Sequence, residues 1–230
     1  MECSVIIAAG GSGSRFGSNM PKQFHELDGV PTIIRAIKAF EAISEVKSIV
    51  IAVNSEWRDF LENKLIHFGI NKVESLIDGG IERQDSVWNA LNSDATIDSD
   101  IILVHDAVRP LLSSELVHKV IKTTFDLGAV IPALKPKDTI KMTNGKGIVT
   151  DTLKRAVLAS VQTPQGFWRE ILVGAFQKAR SENFIGTDSA SLVERAGYRV
   201  TVIDGEEENL KITTPLDMKL AELILNERKS

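Results

Sequence analysis

Ser4-Val5-Ile6-Ile7-Ala8-Ala9-Gly10-Gly11-Ser12-Gly13-Ser14-Arg15-Phe16-Gly17 sets a short, nearly unbroken apolar run directly before a glycine-rich loop. A brief Val/Ile run without polar alternation is how a strand buried on both faces of a parallel sheet reads. The same pattern recurs at residues 48–53, 72–77, 101–104, 129–133 and 199–203. Helical patterns fill the gaps. Leu116, Val117, Val120, Ile121 and Thr124 recur at three- and four-residue steps behind Ser113, a candidate N-cap. Thr214-Pro215-Leu216-Asp217 reads as a capping box with Pro at the first helical position. Leu216, Leu220, Leu223 and Ile224 are expected to form the buried stripe of that last helix. Alternating strands and helices predict an α/β fold, a mostly parallel sheet with helices on both faces. Right-handed crossovers then bring every strand-to-helix loop to one rim of the sheet.

The chain has 230 residues, which fits one domain spanning residues 1–230. Lys plus Arg is 27 and Asp plus Glu is 31, a net charge of −4, so a broadly basic nucleic-acid binder is excluded. One cysteine, Cys3, excludes an intrachain disulfide framework and a Cys-rich zinc site. No apolar run approaches the roughly 18 residues of a membrane span. MECSVIIAAGG lacks a basic n-region and does not read as a secretory signal, so a cytoplasmic protein without membrane partners is expected.

Residues 134–152, LKPKDTIKMTNGKGIVTDT, depart from the α/β pattern. Asn144-Gly145 between alternating runs is a hairpin signal. An extra hairpin does not fit a parallel sheet and is expected to project from the domain. It is either an edge decoration or an arm that embraces a second subunit, which would cover its open edges and apolar side chains.

The candidate chemistry lies at the predicted rim. Glycines after the first strand let backbone N–H groups converge on an anion, and Arg15 and Lys22 add positive charge. The loop is not a Walker A loop, which ends in Gly-Lys-Ser/Thr. Nor is it a dinucleotide fingerprint: Phe16 stands where the third glycine belongs, and the second strand runs into Val53-Asn54 without a ribose-binding acid. This disfavours a nicotinamide-dependent oxidoreductase. A nucleophile elbow fails at Ser14. The third strand ends in Asp78-Gly79-Gly80, where the backbone can approach a base or ribose, or simply make a turn. The fourth ends in His105-Asp106-Ala107-Val108-Arg109-Pro110. Asp106 there can hold Mg²⁺ beside phosphates, and Arg109 can fork onto a phosphate or carboxylate; the alternative is a structural ion pair between the two. The four histidines show no metal-ligand spacing, and Asp98-Ser99-Asp100 precedes its strand and falls on the wrong edge.

AAGGSGSRFG with PKQF, DGGIERQDSV, HDAVRP, KDTIK, TPQGF, GTDSASLVE and NLKITTP, in this order from Ala8 to Pro215, resemble the 2-C-methyl-D-erythritol 4-phosphate cytidylyltransferase family. The resemblance implies a Rossmann-like fold, Mg²⁺ or another divalent ion, and a homodimer joined through the hairpin arm. It implies transfer of the cytidylyl group of CTP to 2-C-methyl-D-erythritol 4-phosphate with release of pyrophosphate, in the non-mevalonate route to isoprenoid precursors. Ala8, Ala9, Gly10, Gly11, Gly13, Arg15 and Lys22 would hold the triphosphate, and Gly80 and Ser86 would meet the cytidine. Asp106, Arg109, Thr163, Thr187 and Lys211 would surround the sugar phosphate, and Thr139 and Arg155 would reach it from the partner's arm. Arg15, Lys22, Asp106 and Lys211 would carry the chemistry, with Asp106 the protein's ligand to a metal otherwise held by CTP. A cytidylyltransferase for another polyol phosphate, such as ribitol 5-phosphate, is the alternative, since it shares the PKQF, HDA.RP and TPQ elements. A non-catalytic nucleotide-binding regulator would bind CTP without releasing pyrophosphate.

Overall fold

The computed structural model describes residues 2–11 and 20–229. Six parallel strands match the six apolar runs: β1 (Cys3–Ala9), β4 (Val46–Val53), β5 (Val73–Asp78), β6 (Ile101–Asp106), β7 (Ala129–Leu134) and β12 (Thr201–Asp204). β2 (Glu26–Leu27) and β3 (Val30–Pro31) form a small separate ladder. The main sheet runs β5-β4-β1-β6 and then continues through β11 (Gln165–Trp168) to β7, with β12 on the far side of β7. β11 is antiparallel to both neighbours, an insertion that the apolar runs do not predict. Because it runs the other way, its beginning lies beside the carboxyl end of β6, with Gln165 opposite Val104. The residues just before it, Gln162 to Pro164, are thereby delivered to the rim.

Successive strand residues feed two cores. Val5 and Ile7 of β1, Ile49 and Ile51 of β4, and Ile101 and Leu103 of β6 face α1 (Thr32–Glu41), α2 (Arg58–His67) and α5 (Ser114–Leu127). Ile6, Val50, Ile102 and Val104 face α3 (Arg83–Leu91), α6 (Arg169–Ser181) and α7 (Ser189–Arg195). The unbroken Val/Ile runs therefore come from helices on both faces of the sheet. α4 (Asp94–Ile97) is a single short turn before β6. Ser113 caps α5 as expected, its hydroxyl accepting from the Leu116 N–H at 3.0 Å. Cys3 is buried, and burial together with the nearby Glu45 charge pushes its thiol up to about 12. Among the described residues no helix is long and apolar enough to cross a membrane.

The last helix, α8 (Pro215–Glu227), has the predicted capping box, with Asp217 N–H donating to Thr214 Oγ1 at 3.2 Å. Its buried face differs from the prediction. Leu216, Leu220 and Leu223 are 73%, 48% and 61% exposed. Ala221 is buried, and Met218, Ile224 and Leu225 pack beside it against Leu27, Val108, Leu111 and Ile212. The leucine spacing is helical, but the helix is rotated so that its small residue approaches the domain.

The hairpin is present as β8 (Lys141–Thr143) and β9 (Val149–Thr152), a two-stranded ladder separate from the main sheet. Its turn is longer than a two-residue Asn-Gly turn. Asn144 Oδ1 accepts from the N–H groups of Lys146 and Ile148, and Gly147 takes the positive φ of 77°. The excursion begins after Leu134 and rejoins the sheet at β10 (Ser160–Val161), where Ser160 pairs with Leu134. Ile140, Met142, Ile148, Val149 and Val157 along it are exposed.

Candidate active site

The rim of the sheet is assembled by register. Ala8 pairs with Ala52 and Asp106, and Val53 pairs with Asp78, so the ends of β5, β4, β1 and β6 lie side by side. Above them opens a cavity of about 190 Å³. Ala8, Ala9, Gly10, Gly11, Lys22, Gly80, Ser86, Asp106 and Lys211 line it, all of them expected site residues. Gln23, Glu82 and Arg83 also line it and were not expected. Gly13 and Arg15 lie outside the described residues.

The Pro21-Lys22-Gln23-Phe24 turn explains how a loop lysine is held at this rim. Phe24 is buried, stacks on Trp57 with centroids 4.9 Å apart, and meets Phe60 edge-on. Burying such a ring stabilises the turn by roughly 1.5–3 kcal/mol. Gln23, also buried, donates to the carbonyls of Ala9 at 2.7 Å and Gly11 at 3.0 Å. The anchor and the two hydrogen bonds leave Lys22, between Pro21 and Gln23, on the cavity wall.

The opposite wall is the start of α3. Ser86 Oγ accepts from the Gly80 N–H at 3.0 Å and donates to the Glu82 carbonyl at 3.2 Å. Gly79 and Gly10 face each other across the rim: a Cβ on Gly79 would lie 3.3 Å from the Gly10 Cα. The glycines thus let two rim loops approach one another as well as a ligand. Glu82 and Asp85 close this turn as a capping box, the Glu82 N–H donating to Asp85 Oδ2 at 3.2 Å, and the helix dipole places its positive end at this wall.

The floor is Asp106. Its Oδ1 accepts from Arg83 at 3.1 and 3.2 Å, and its Oδ2 lies 2.8 Å from Lys211 Nζ and 3.8 Å from Arg109 Nε. Burial pushes the Asp106 pKa up, but the charges of Arg83, Lys211 and Arg109 outweigh it and hold the carboxyl well below the usual carboxylate range. Arg109 itself is buried, donating from one terminal nitrogen to the Asn209 carbonyl at 2.7 Å, and forms the ion pair that the sequence left open. Thr163 is buried beside it, its hydroxyl accepting from the Asp106 N–H at 3.1 Å. Neither Arg109 nor Thr163 lines the cavity among the described residues.

Thr187 lies in a smaller cleft next door, lined also by Gln84, Gly186 and Asp188, with Arg83 on the wall between the two. Thr139 and Arg155 are exposed on the hairpin excursion and do not line this cavity. Arg155 donates to the Lys137 carbonyl, bracing the base of the excursion.

A cavity with three cationic side chains, a glycine loop and a helix start is built for a polyanion. The family model for 2-C-methyl-D-erythritol 4-phosphate cytidylyltransferase (IspD) matches residues 3–227. The chain belongs to this family. The Geobacillus kaustophilus protein named 2-C-methyl-D-erythritol 4-phosphate cytidylyltransferase is 42% identical over 99% of both chains. The Symbiobacterium thermophilum protein of the same name is 44% identical, covering 97% of this chain and 93% of that one. The crystal structure of 4-diphosphocytidyl-2C-methyl-D-erythritol synthase from Anaerococcus prevotii superposes with a TM-score of 0.84 at 29% identity, over 98% of both chains. The fold is accordingly the Rossmann-like one of these cytidylyltransferases.

Among the described residues no three His, Cys, Asp or Glu side chains converge as a metal site. At the cavity Asp106 offers one carboxylate, already shared by Arg83 and Lys211, and Glu82 a second. That donor set fits a hard ion taking most of its oxygens from phosphates and water, as Mg²⁺ does, and does not fit a metal held by the protein alone.

Proposed function

We infer that this enzyme transfers the cytidylyl group of CTP to 2-C-methyl-D-erythritol 4-phosphate, giving 4-diphosphocytidyl-2-C-methyl-D-erythritol and pyrophosphate in isoprenoid precursor synthesis. Membership of the family over residues 3–227 carries the assignment. The name shared by the relatives favours methylerythritol phosphate over ribitol 5-phosphate as acceptor.

The nucleophile is the sugar phosphate. Its second pKa is about 6, so it is largely dianionic at neutral pH and needs no protein base. Its oxygen bonds to the α-phosphorus, and the bond from that phosphorus to the pyrophosphate oxygen breaks. The obstacle is repulsion, about 4 kcal/mol for two unit charges at about 4 Å at an effective dielectric near 20. Lys22 and Lys211 both line the cavity. In this proposal Lys22, with Arg15, binds the triphosphate, while Lys211 and Arg83 bridge from Asp106 to the incoming phosphate. Ala8 to Gly11 and the α3 start orient the chain of phosphates; Gly80 and Ser86 fit the cytidine. Mg²⁺, or another divalent ion, would be held by the triphosphate with Asp106 as protein ligand and would neutralise phosphate charge. Alignment and charge stabilisation then supply the rate. A coupled pyrophosphate-release assay crossing four nucleoside triphosphates with methylerythritol and ribitol phosphates tests the assignment. Turnover only with CTP and methylerythritol phosphate is expected, and preference for ribitol 5-phosphate would overturn it.

Gly80→Ala tests the nucleotide wall. A Cβ on Gly80 would lie 2.1 Å from Asp85 Cβ and 3.0 Å from its backbone carbon, so α3 must move outward. KM for CTP should rise by about tenfold with a melting loss of a few degrees, read by steady-state kinetics and calorimetry.

For the arm, we propose that residues 135–159 embrace a second protomer in a homodimer and bring Thr139 and Arg155 to its site. The run of exposed apolar side chains on the excursion supports this. Arg155→Ala should raise KM for the sugar phosphate more than KM for CTP. Mixing inactive Lys22→Met protein with Arg155→Ala protein should restore normal sugar-phosphate KM in part of the sample. Unchanged kinetics on mixing would count against shared sites.

A further inference from the structure

Four residues from three distant segments close a ring beneath the cavity. The carbonyl of Arg109 can only accept, so His105 Nε2, 3.1 Å away, must carry the proton. In a neutral imidazole Nδ1 is then an acceptor, and the Thr163 hydroxyl at 3.0 Å must donate to it. That orientation leaves the Thr163 oxygen free to accept from the Asp106 N–H. Arg109 donates to the Asn209 carbonyl at 2.7 Å, and Asn209 Nδ2 donates to the Thr163 carbonyl at 2.8 Å. Every bond in the ring donates in the same sense: His105 to Arg109, Arg109 to Asn209, Asn209 to Thr163, Thr163 to His105. His105 is wholly buried, packs edge-on to Phe40 at 5.0 Å, and is absent from the cavity lining.

We propose that His105 is a positioning residue for the transfer: as the Nε2–H tautomer it closes this ring and fixes Asp106, Arg109 and the Asn209–Lys211 segment in one register. The proposal rests on the functional reading above. Asp106 follows His105 directly on β6, and Lys211 follows Asn209 by two residues, so the ring sets the separation of the pair that faces the sugar phosphate. The register is reinforced by the Ile212 N–H, which donates to the Val108 carbonyl at 2.9 Å. Outside the ring, Arg109 Nε and Asn209 Oδ1 are buried without a hydrogen-bond partner among the described residues, so the ring bonds are the ones that hold these two side chains.

His105→Phe keeps the ring shape and the Phe40 contact while removing both nitrogens. KM for methylerythritol phosphate should rise by about tenfold or more, with KM for CTP changed by less than about twofold. His105→Gln, which can still reach the Arg109 carbonyl, should recover part of the loss. Unchanged kinetics in folded His105→Phe protein, or equal changes in both KM values, would overturn the proposal. Nitrogen-15 NMR of histidine-labelled wild-type enzyme needs no variant: a single Nε2–H tautomer at His105 is expected, and an Nδ1–H or averaged signal would overturn it. Because that spectrum is independent of turnover, it separates failure of the ring from failure of the assigned reaction.

Discussion

Lys22→Met is expected to lower kcat by about 10²–10³ while leaving the fold intact. The turn around Lys22 is held by its neighbours: Phe24 packs with Trp57 and Phe60, and Gln23 binds the carbonyls of Ala9 and Gly11. Met preserves the length of the aliphatic stem and removes the ammonium group. The melting temperature should therefore move by no more than about 2 °C, since substitutions away from packed features cost within about 0.5 kcal/mol. The proposed reaction brings a dianion towards a polyanionic triphosphate, so a missing cation should be felt most in the transition state. Steady-state pyrophosphate release and calorimetry on the same preparation check both halves. Wild-type turnover in the folded variant would remove the electrostatic account.

Asp106→Ala should be more damaging, because it removes the anion at which three cations meet. Arg83 and Lys211 hold its two oxygens, and Arg109 stands behind at 3.8 Å. Without it these cations repel one another, and Arg109 is left buried without a carboxylate. Breaking a buried pair from one side costs about 3–5 kcal/mol. A fall of roughly 10 °C in melting temperature follows for a chain of this size. Activity should drop by about 10³, since Lys211 and Arg83 lose the post that orients them. The pH dependence has a defined sign. The folded-state pKa of Asp106 lies below its ordinary value of 3.8. Its contribution is therefore complete above about pH 4 and is lost as pH falls below that, because the unfolded chain takes up the proton first. Urea titrations between pH 7 and pH 3 should show a shallower acid loss in Asp106→Ala than in wild type. A variant as stable as wild type at pH 7 would contradict this role.

The parallel strands were legible because burial on both faces demands unbroken apolar runs, as in Val5-Ile6-Ile7 and Ile101-Ile102-Leu103-Val104. β11 was not legible. Gln165-Gly166-Phe167-Trp168 is short, and Gly166 is required by packing: a Cβ there would lie 2.1 Å from Thr124 Oγ1. That constraint belongs to tertiary contact with α5, which no local pattern carries. The stripe on α8 was misread because spacing gives a helical face but not the direction in which the domain lies; Ala221, not the leucines, allows the close approach. At the cavity, Lys22, Gly80 and Asp106 stood out as charged or glycine residues beside predicted loops, whereas Lys211 was named only through the family resemblance. Arg83 was not, although Gly79-Gly80 followed by Arg in the first turn of a helix is a usable signal. Gln23 was hidden because its work is a side-chain bond to the carbonyls of Ala9 and Gly11. The burial of Arg109 and Thr163 beneath the cavity likewise depends on β11 running backwards.

The two feet of the hairpin excursion, Leu134 and Ser160, are cross-strand partners. The chain leaves the sheet and returns at almost the same spot, so the main sheet does not sense how long or how shaped the intervening loop is. Lengthening, trimming or exchanging that loop should leave the catalytic scaffold undisturbed. The excursion can therefore change length in evolution without a compensating change in the strands that carry the rim.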